Sequence, residues 1–219
     1  MNDQPPVQIV IADDHPLYRG ALQQTIATLV PQATVIDVGT FDDAVAVLAE
    51  KGGVDLVLLD LAIPGAQRLS GLIYLRAQYP GTPVVIVSGN DDRAVIRSCM
   101  DCGASGFIPK SLGVASIGEA VRSVLAGNTW VPPDIDLSTA GDAAVGDAAR
   151  RLSRLTPQQL RVLMMLTEGL LNKQIAYELS VSEATVKAHV SAILQKLGVE
   201  SRTQAVILAG RVTGTGTAA

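Results

Sequence analysis

The feature that most constrains this chain is the alternation of five short, β-rich apolar runs with five segments of helical periodicity. The runs lie at Val7–Ala12, Ala33–Val38, Val54–Leu59, Pro83–Val87 and Ser105–Ile108. Helix-period segments separate them at Pro16–Leu29, Phe41–Glu50, Leu69–Gln78, Asp91–Cys102 and Val114–Ala126. Strands that are apolar almost throughout, rather than alternating, must be covered on both faces, which predicts a parallel sheet with helices on each side. Right-handed crossovers then give a doubly wound α/β domain of flavodoxin-like order.

The pattern stops after Gly127. Residues 128–150 are rich in Pro, Gly, Asp and Ala without sustained periodicity and read as a linker, although Trp130, the only tryptophan, is expected to pack back on the first domain. From Leu155 the chain reads as all helix. Thr156 caps a helix with Pro157 in its first turn that runs to Glu168 and stops at Gly169, and helices follow near Lys173–Leu179, Glu183–Leu197 and Arg202–Gly210. Charge divides at the same place. The first 150 residues carry 9 Lys+Arg against 17 Asp+Glu, net −8, and the remainder carries 8 against 4, net +4. The overall −4 therefore hides a basic helical half suited to a polyanion. No apolar run reaches membrane-span length and the opening MNDQPP lacks the regions of a signal peptide, so a cytoplasmic protein without a membrane partner is expected. Cys99 and Cys102 form a C-x-x-C, but neither His15 nor His189 is placed in sequence to complete a zinc set with them.

In a doubly wound sheet ligands bind beyond the strand C-termini, so the residues there decide the chemistry. Strand one ends in Asp13-Asp14, strand three in Asp60, strand four in Ser88 and strand five in Pro109-Lys110. Three converging carboxylates repel one another unless a cation sits among them, and a hard divalent ion such as Mg²⁺, with oxygen ligands at about 2.1 Å, answers that need. A carboxylate is also a nucleophile toward phosphoryl groups. Asp60 as nucleophile, Lys110 as second cation and Ser88 as hydroxyl contact fit that reaction. A dehalogenase-type phosphohydrolase would need a second Asp two residues after the nucleophile, where this chain has Ala62. A nucleotide-binding Rossmann domain would need glycines where it has Asp13-Asp14-His15-Pro16.

The stretches IVIADDHPLYR, DLVLLDLAIPG, VVIVSG and GASGFIPKS resemble the receiver domains of two-component response regulators over residues 7 to about 127. The resemblance implies a CheY-like fold with Asp60 as phosphoacceptor. It implies Asp13, Asp14, Asp60 and the Ala62 carbonyl around Mg²⁺, Ser88 and Lys110 on the phosphate, and Phe107 as the switch aromatic that rotates inward behind Ser88. A sensor histidine kinase or a small phosphodonor would supply the phosphoryl group, and the domain would catalyse no more than its own phosphorylation and dephosphorylation. The loop Ile63–Leu72 is about three residues longer than the family's usual M-P-G-x-x-G-L.

Asn172–Leu179, Ser180-Val181-Ser182 and Glu183–Val190 read as helix, turn and helix, with Ser182 as N-cap and Ile175, Ala176, Leu179, Val181, Val186 and Val190 facing Leu160, Leu163 and Leu166. Thr185, Lys187, Ala188, Ser191 and Gln195 lie away from the apolar stripe, where a recognition helix meets base edges in the major groove of double-stranded DNA. Lys173, His189, Lys196 and Arg202 are candidates for phosphate contacts. L-T-P-x-x-x-x-V-L, GLLNKQIA, SEATVKAHV and KLGVESRTQAV resemble the LuxR/NarL-type DNA-binding domain. The resemblance implies a four-helix domain and a homodimer formed through the final helix, around Thr203–Leu208. It implies a promoter-binding regulator activated by phosphorylation of Asp60, the alternative being an atypical receiver that acts through a partner protein alone. The expected boundaries are 1–127 for the receiver, 128–150 for the linker, 151–211 for the DNA-binding domain and 212–219 for a flexible tail.

Overall fold

A computed structural model describes residues 7–66, 68–135 and 143–213. The first half is a five-stranded, wholly parallel sheet in the order β2-β1-β3-β4-β5, formed by β1 (Val7–Ala12), β2 (Ala33–Val38), β3 (Leu56–Asp60), β4 (Val84–Ser88) and β5 (Gly106–Pro109). Helices α1 (Pro16–Leu29), α2 (Phe41–Lys51), α3 (Ser70–Gln78), α4 (Arg93–Asp101) and α5 (Val114–Leu125) connect the strands. Strands β3, β4 and β5 are buried along their whole length, as a sheet covered on both faces requires. Ile9, Ile11, Leu58, Val85 and Val87 pack under α1 and α5, while Val10, Val57, Leu59, Ile86 and Phe107 lie in the other core with Phe41, Leu72 and Ile96. Successive side chains thus point to opposite faces.

Local chemistry starts the helices where expected. Thr40 accepts from the Asp43 amide at the head of α2, Asp92 accepts from Ala94 at α4, and Pro16 opens α1. Trp130 does pack on the first half. It bridges to Gly106, its carbonyl accepts from the Phe107 amide at 3.0 Å, and its side chain joins the core under α5.

The basic half contains α7 (Pro157–Thr167), α8 (Asn172–Glu178), α9 (Glu183–Leu197) and α10 (Arg202–Thr213). A fifth helix, α6 (Ala143–Leu152), corrects the expected linker. It packs on α10, α9 and α4. Its buried stripe is Ala148, Ala149 and Leu152, and Asp147 pairs with Arg151 at 2.8 Å four residues on. Alanines and Gly146 give that stripe little contrast in the sequence. The expected tail is also shortened, because Val212 is buried and helical. Residues 136–142 of the expected linker and 214–219 of the tail lie outside the described residues. No helix among the described residues is long and apolar enough to cross a membrane.

Candidate functional site

The order β2-β1-β3 reverses chain direction across the sheet between β1 and β3, and there the acidic residues converge. Ala12 pairs with Leu59, Asp60 with Val87 and Ser88 with Pro109, so Asp60 and Ser88 end the ladder while Asp13 and Lys110 follow one residue beyond it, at the same edge of the sheet. The Lys110 amide donates to the Ser88 carbonyl at 2.7 Å, fixing the lysine beside the serine.

Lys110 Nζ lies 2.7 Å from Asp13 Oδ2 and 2.9 Å from Asp60 Oδ2, bridging two carboxylates whose side chains are 2% and 3% exposed. Burial pulls the Lys110 ammonium down, but hydrogen bonds to Asp13 and Asp60 and their charge outweigh it and hold the group above the ordinary lysine value. The ammonium also sits 5.0 Å above the Tyr18 ring. Burial, then the charges of Asp13 and Asp60, push the Tyr18 phenol up to about 12. Asp60 Oδ1 accepts from the Ala62 amide at 3.1 Å, and Ser88 Oγ accepts from the Asn90 amide at 3.1 Å, which leaves the serine proton free to turn toward Asp60.

A cavity of about 1060 Å³ opens over these groups. Asp60, Ala62, Ser88 and Lys110 line it from the sheet, Ala94, Val95 and Ser98 from α4, and Arg211 and Val212 from the end of α10. The basic half also touches the first through α7 against α3 and α6 against α4.

Sequence reasoning missed one member of the cluster. His15 Nδ1 is 2.8 Å from Asp14 Oδ1, 3.1 Å from Asp13 Oδ1 and 3.8 Å from Asp60 Oδ2. Its immediate adjacency to the acidic pair was the available signal. Phe107, the expected switch aromatic, points inward. The ring is already fully enclosed in the core, because without a hydroxyl it has no polar atom to keep near water. Cys99 and Cys102 are free and buried; burial raises both thiols, that of Cys102 to about 12, so neither is a reactive thiolate.

In the basic half, Ile175, Ala176, Val186, Ile193 and Leu197 close α8 and α9 against Leu160 and Leu163 of α7. Ser182 caps α9, accepting from the Thr185 amide at 3.0 Å, and Gly198 ends it in the left-handed conformation. Thr185, Lys187, Ala188 and Ser191 are exposed along one side of α9, as is Lys173 on α8, while His189 is half-buried. Lys187 pairs with Glu183 at 3.0 Å. Two expected phosphate contacts also make hydrogen bonds within the protein. Lys196 Nζ donates to Gln159 Oε1 at 2.8 Å and to the Arg154 carbonyl, and Arg202 donates to the Leu170 carbonyl. Gln159 takes up the acceptor role at this cap, also receiving the Thr156 amide at 3.1 Å.

Residues 9–122 match the family described as response regulator receiver domain, and residues 153–209 match bacterial regulatory proteins of the luxR family. The glycerol metabolism activator of Pseudomonas putida is 43% identical, over 94% of this chain and 96% of the relative. The nitrate/nitrite response regulator NarL of Escherichia coli K12 is 30% identical over the same shares. Among solved structures, RcsB of Salmonella typhimurium has the same fold, with a TM-score of 0.57 at 20% identity over 94% of this chain and 99% of that one.

Proposed function

Since the chain belongs to the LuxR/NarL family of response regulators, DNA-binding transcriptional regulators with a receiver domain, we propose that Asp60 is the residue phosphorylated and that its modification governs the DNA-binding half. The carrying observation is a buried carboxylate held between a lysine and an acidic pair, facing a cavity large enough for a phosphoryl group.

Asp13, Asp14 and Asp60 with the Ala62 carbonyl suit Mg²⁺. Three carboxylates lie within reach of one ion, and the single charge of Lys110 does not balance all three. Bound there, Mg²⁺ supplies charge neutralisation at the phosphoryl oxygens. Asp60 is the nucleophile toward a histidine kinase's phosphohistidine or a small phosphodonor. Lys110 holds the new negative charge, about −1.5 to −2 by analogy with other phosphorylated side chains, and Ser88, whose Oγ accepts from the Asn90 amide, donates its free hydroxyl proton to a phosphoryl oxygen. The chain's own chemistry ends with gain and loss of that group. Coupling to DNA runs through α4, which lines the cavity and packs against α6.

Thr185, Lys187, Ala188 and Ser191 are assigned to base edges in the major groove, Lys173 and His189 to phosphates, and Lys196 and Arg202 to bracing the helices. Solved RcsB structures include dimers bound to DNA. Ile207, 54% exposed on α10, supports the homodimer through that helix. A cytoplasmic location goes with a promoter as target. Incubation with Mg²⁺ and acetyl phosphate followed by intact mass tests the assignment. A single phosphate adduct lost in Asp60→Asn is expected, and no adduct, or one surviving in that variant, overturns it.

A further inference from the structure

His15 is the chain's unassigned polar group at the acidic cluster. One ligand atom from each of Asp13, Asp14, His15 and Asp60 lies within 4.8 Å of every other. Around a six-coordinate ion with ligands at about 2.1 Å, neighbouring donor atoms are about 3.0 Å apart and opposite ones about 4.2 Å. His15 Nδ1 lies 2.8 Å from Asp14 and 3.1 Å from Asp13, both close to the neighbouring-donor separation, and 3.8 Å from Asp60, between that separation and the opposite one. The ring is held in place from both sides in sequence. The His15 amide donates to Asp13 Oδ1 at 2.8 Å, and Pro16 begins α1 directly after it. The side chain is nevertheless 62% exposed and so keeps room to adjust.

We infer that His15 Nδ1 is a fourth side-chain ligand, making the cluster a mixed nitrogen–oxygen site that takes borderline transition ions such as Co²⁺ and Ni²⁺ as well as the hard ions Mg²⁺ and Mn²⁺. The inference rests on reading the acidic cluster as a cation site. Imidazole adds little to the binding of Mg²⁺, a hard ion that keeps its waters, but it favours the later first-row ions such as Ni²⁺, with Mn²⁺ nearer to Mg²⁺. His15 therefore sets which divalent ion the phosphorylation site prefers.

The probe is Mn²⁺ on the full chain, followed by pulsed electron paramagnetic resonance for nitrogen-14 coupling and by titration against Mg²⁺ and Ni²⁺. A directly bound imidazole nitrogen is expected in the wild type and in His189→Ala, which removes the other histidine, and its loss is expected in His15→Ala. His15→Ala should weaken Ni²⁺ by about tenfold or more while leaving Mg²⁺ within about twofold, with the loss for Mn²⁺ between the two. Trp130 fluorescence checks that the variant is folded. Mn²⁺ binding without nitrogen coupling, or tighter binding of all three ions by His15→Ala, would show that the ring only fills the cation's place, and overturns the inference. No binding of Mn²⁺ or Mg²⁺ by the wild type overturns the cation site itself.

Discussion

Deleting the Lys110 ammonium gives the sharpest measure of the electrostatics at the acidic cluster. Lys110→Ala removes ion pairs of 2.7 Å and 2.9 Å from carboxylates that are 2% and 3% exposed. An exposed pair would contribute about 0–1 kcal/mol, whereas stripping one partner from a buried pair costs about 3–5 kcal/mol. Lys110 retains 17% exposure and faces the cavity, so water reaches the abandoned oxygens and the expected loss is the lower figure, about 3 kcal/mol. The assay is urea unfolding of the full chain followed by Trp130 fluorescence. The single tryptophan packs beside β5, so the signal follows the sheet and not the helical half. With chelator present the variant should lose the full amount. Saturating Mg²⁺ should shrink the loss, because a second cation then faces the same carboxylates, and adding Asp60→Asn should restore part of it without metal. A loss below about 1 kcal/mol in chelator, the value of a surface pair, or an equal loss with and without Mg²⁺, would refute the reasoning.

Three further outcomes are expected. Leu171 stands at the N-cap of α8, 65% exposed and with a side chain that cannot accept a hydrogen bond, so Leu171→Ser should stabilise the helical half by about 1 kcal/mol in a circular-dichroism melt, and an unchanged melt counts against it. Lys187→Ala should weaken DNA binding and reduce its salt slope by about 1, whereas Lys196→Ala should lower thermal stability and leave that slope unchanged; the opposite pairing would return Lys196 to the DNA face. The Tyr18 phenol, shifted from 10.0 to about 12, is protonated below 10, so its stabilising contribution is complete there and is lost as pH rises through 12. An alkaline absorbance titration should show a tyrosinate step near 12 that Tyr18→Phe removes.

The extents of β1, α1, β2 and α9 agree with the sequence reading because apolar runs and caps mark both of their ends. Strands β3, β4 and β5 begin one or two residues later than their apolar runs and end one residue later, since Asp60, Ser88 and Pro109 still pair in the ladder. Those polar strand ends carry the site, and this is why strand-end chemistry could be read directly. What escaped were contacts between segments distant in the chain. His15 becomes a partner of Asp60 only once β1 lies beside β3, and Lys196 reaches Gln159 only once α9 crosses α7. Charge on a helix is read as surface, yet a long side chain can turn back to a neighbouring carbonyl.

How a phosphoryl group would move the DNA-binding half is a question of magnitude. Swinging a two-state equilibrium from 1:99 to 99:1 takes about 5.5 kcal/mol of differential stabilisation. A charge-assisted hydrogen bond contributes about 1.5–3 kcal/mol, so Ser88 alone falls short, and Ser88 with Lys110 approaches the requirement only if most of their gain is withheld from the docked state. The cavity supplies a means of withholding it. Ala94, Val95 and Ser98 of α4 and Arg211 and Val212 of α10 bound the space that the group must enter. A phosphoryl group drawn toward Ser88 would enter a space that α4 and α10 share, and α6 packs on both of those helices. Enlarging the α6 stripe at Ala148 or Ala149 should disturb that relay more than any change at the fully enclosed Phe107, which has little further inward to go.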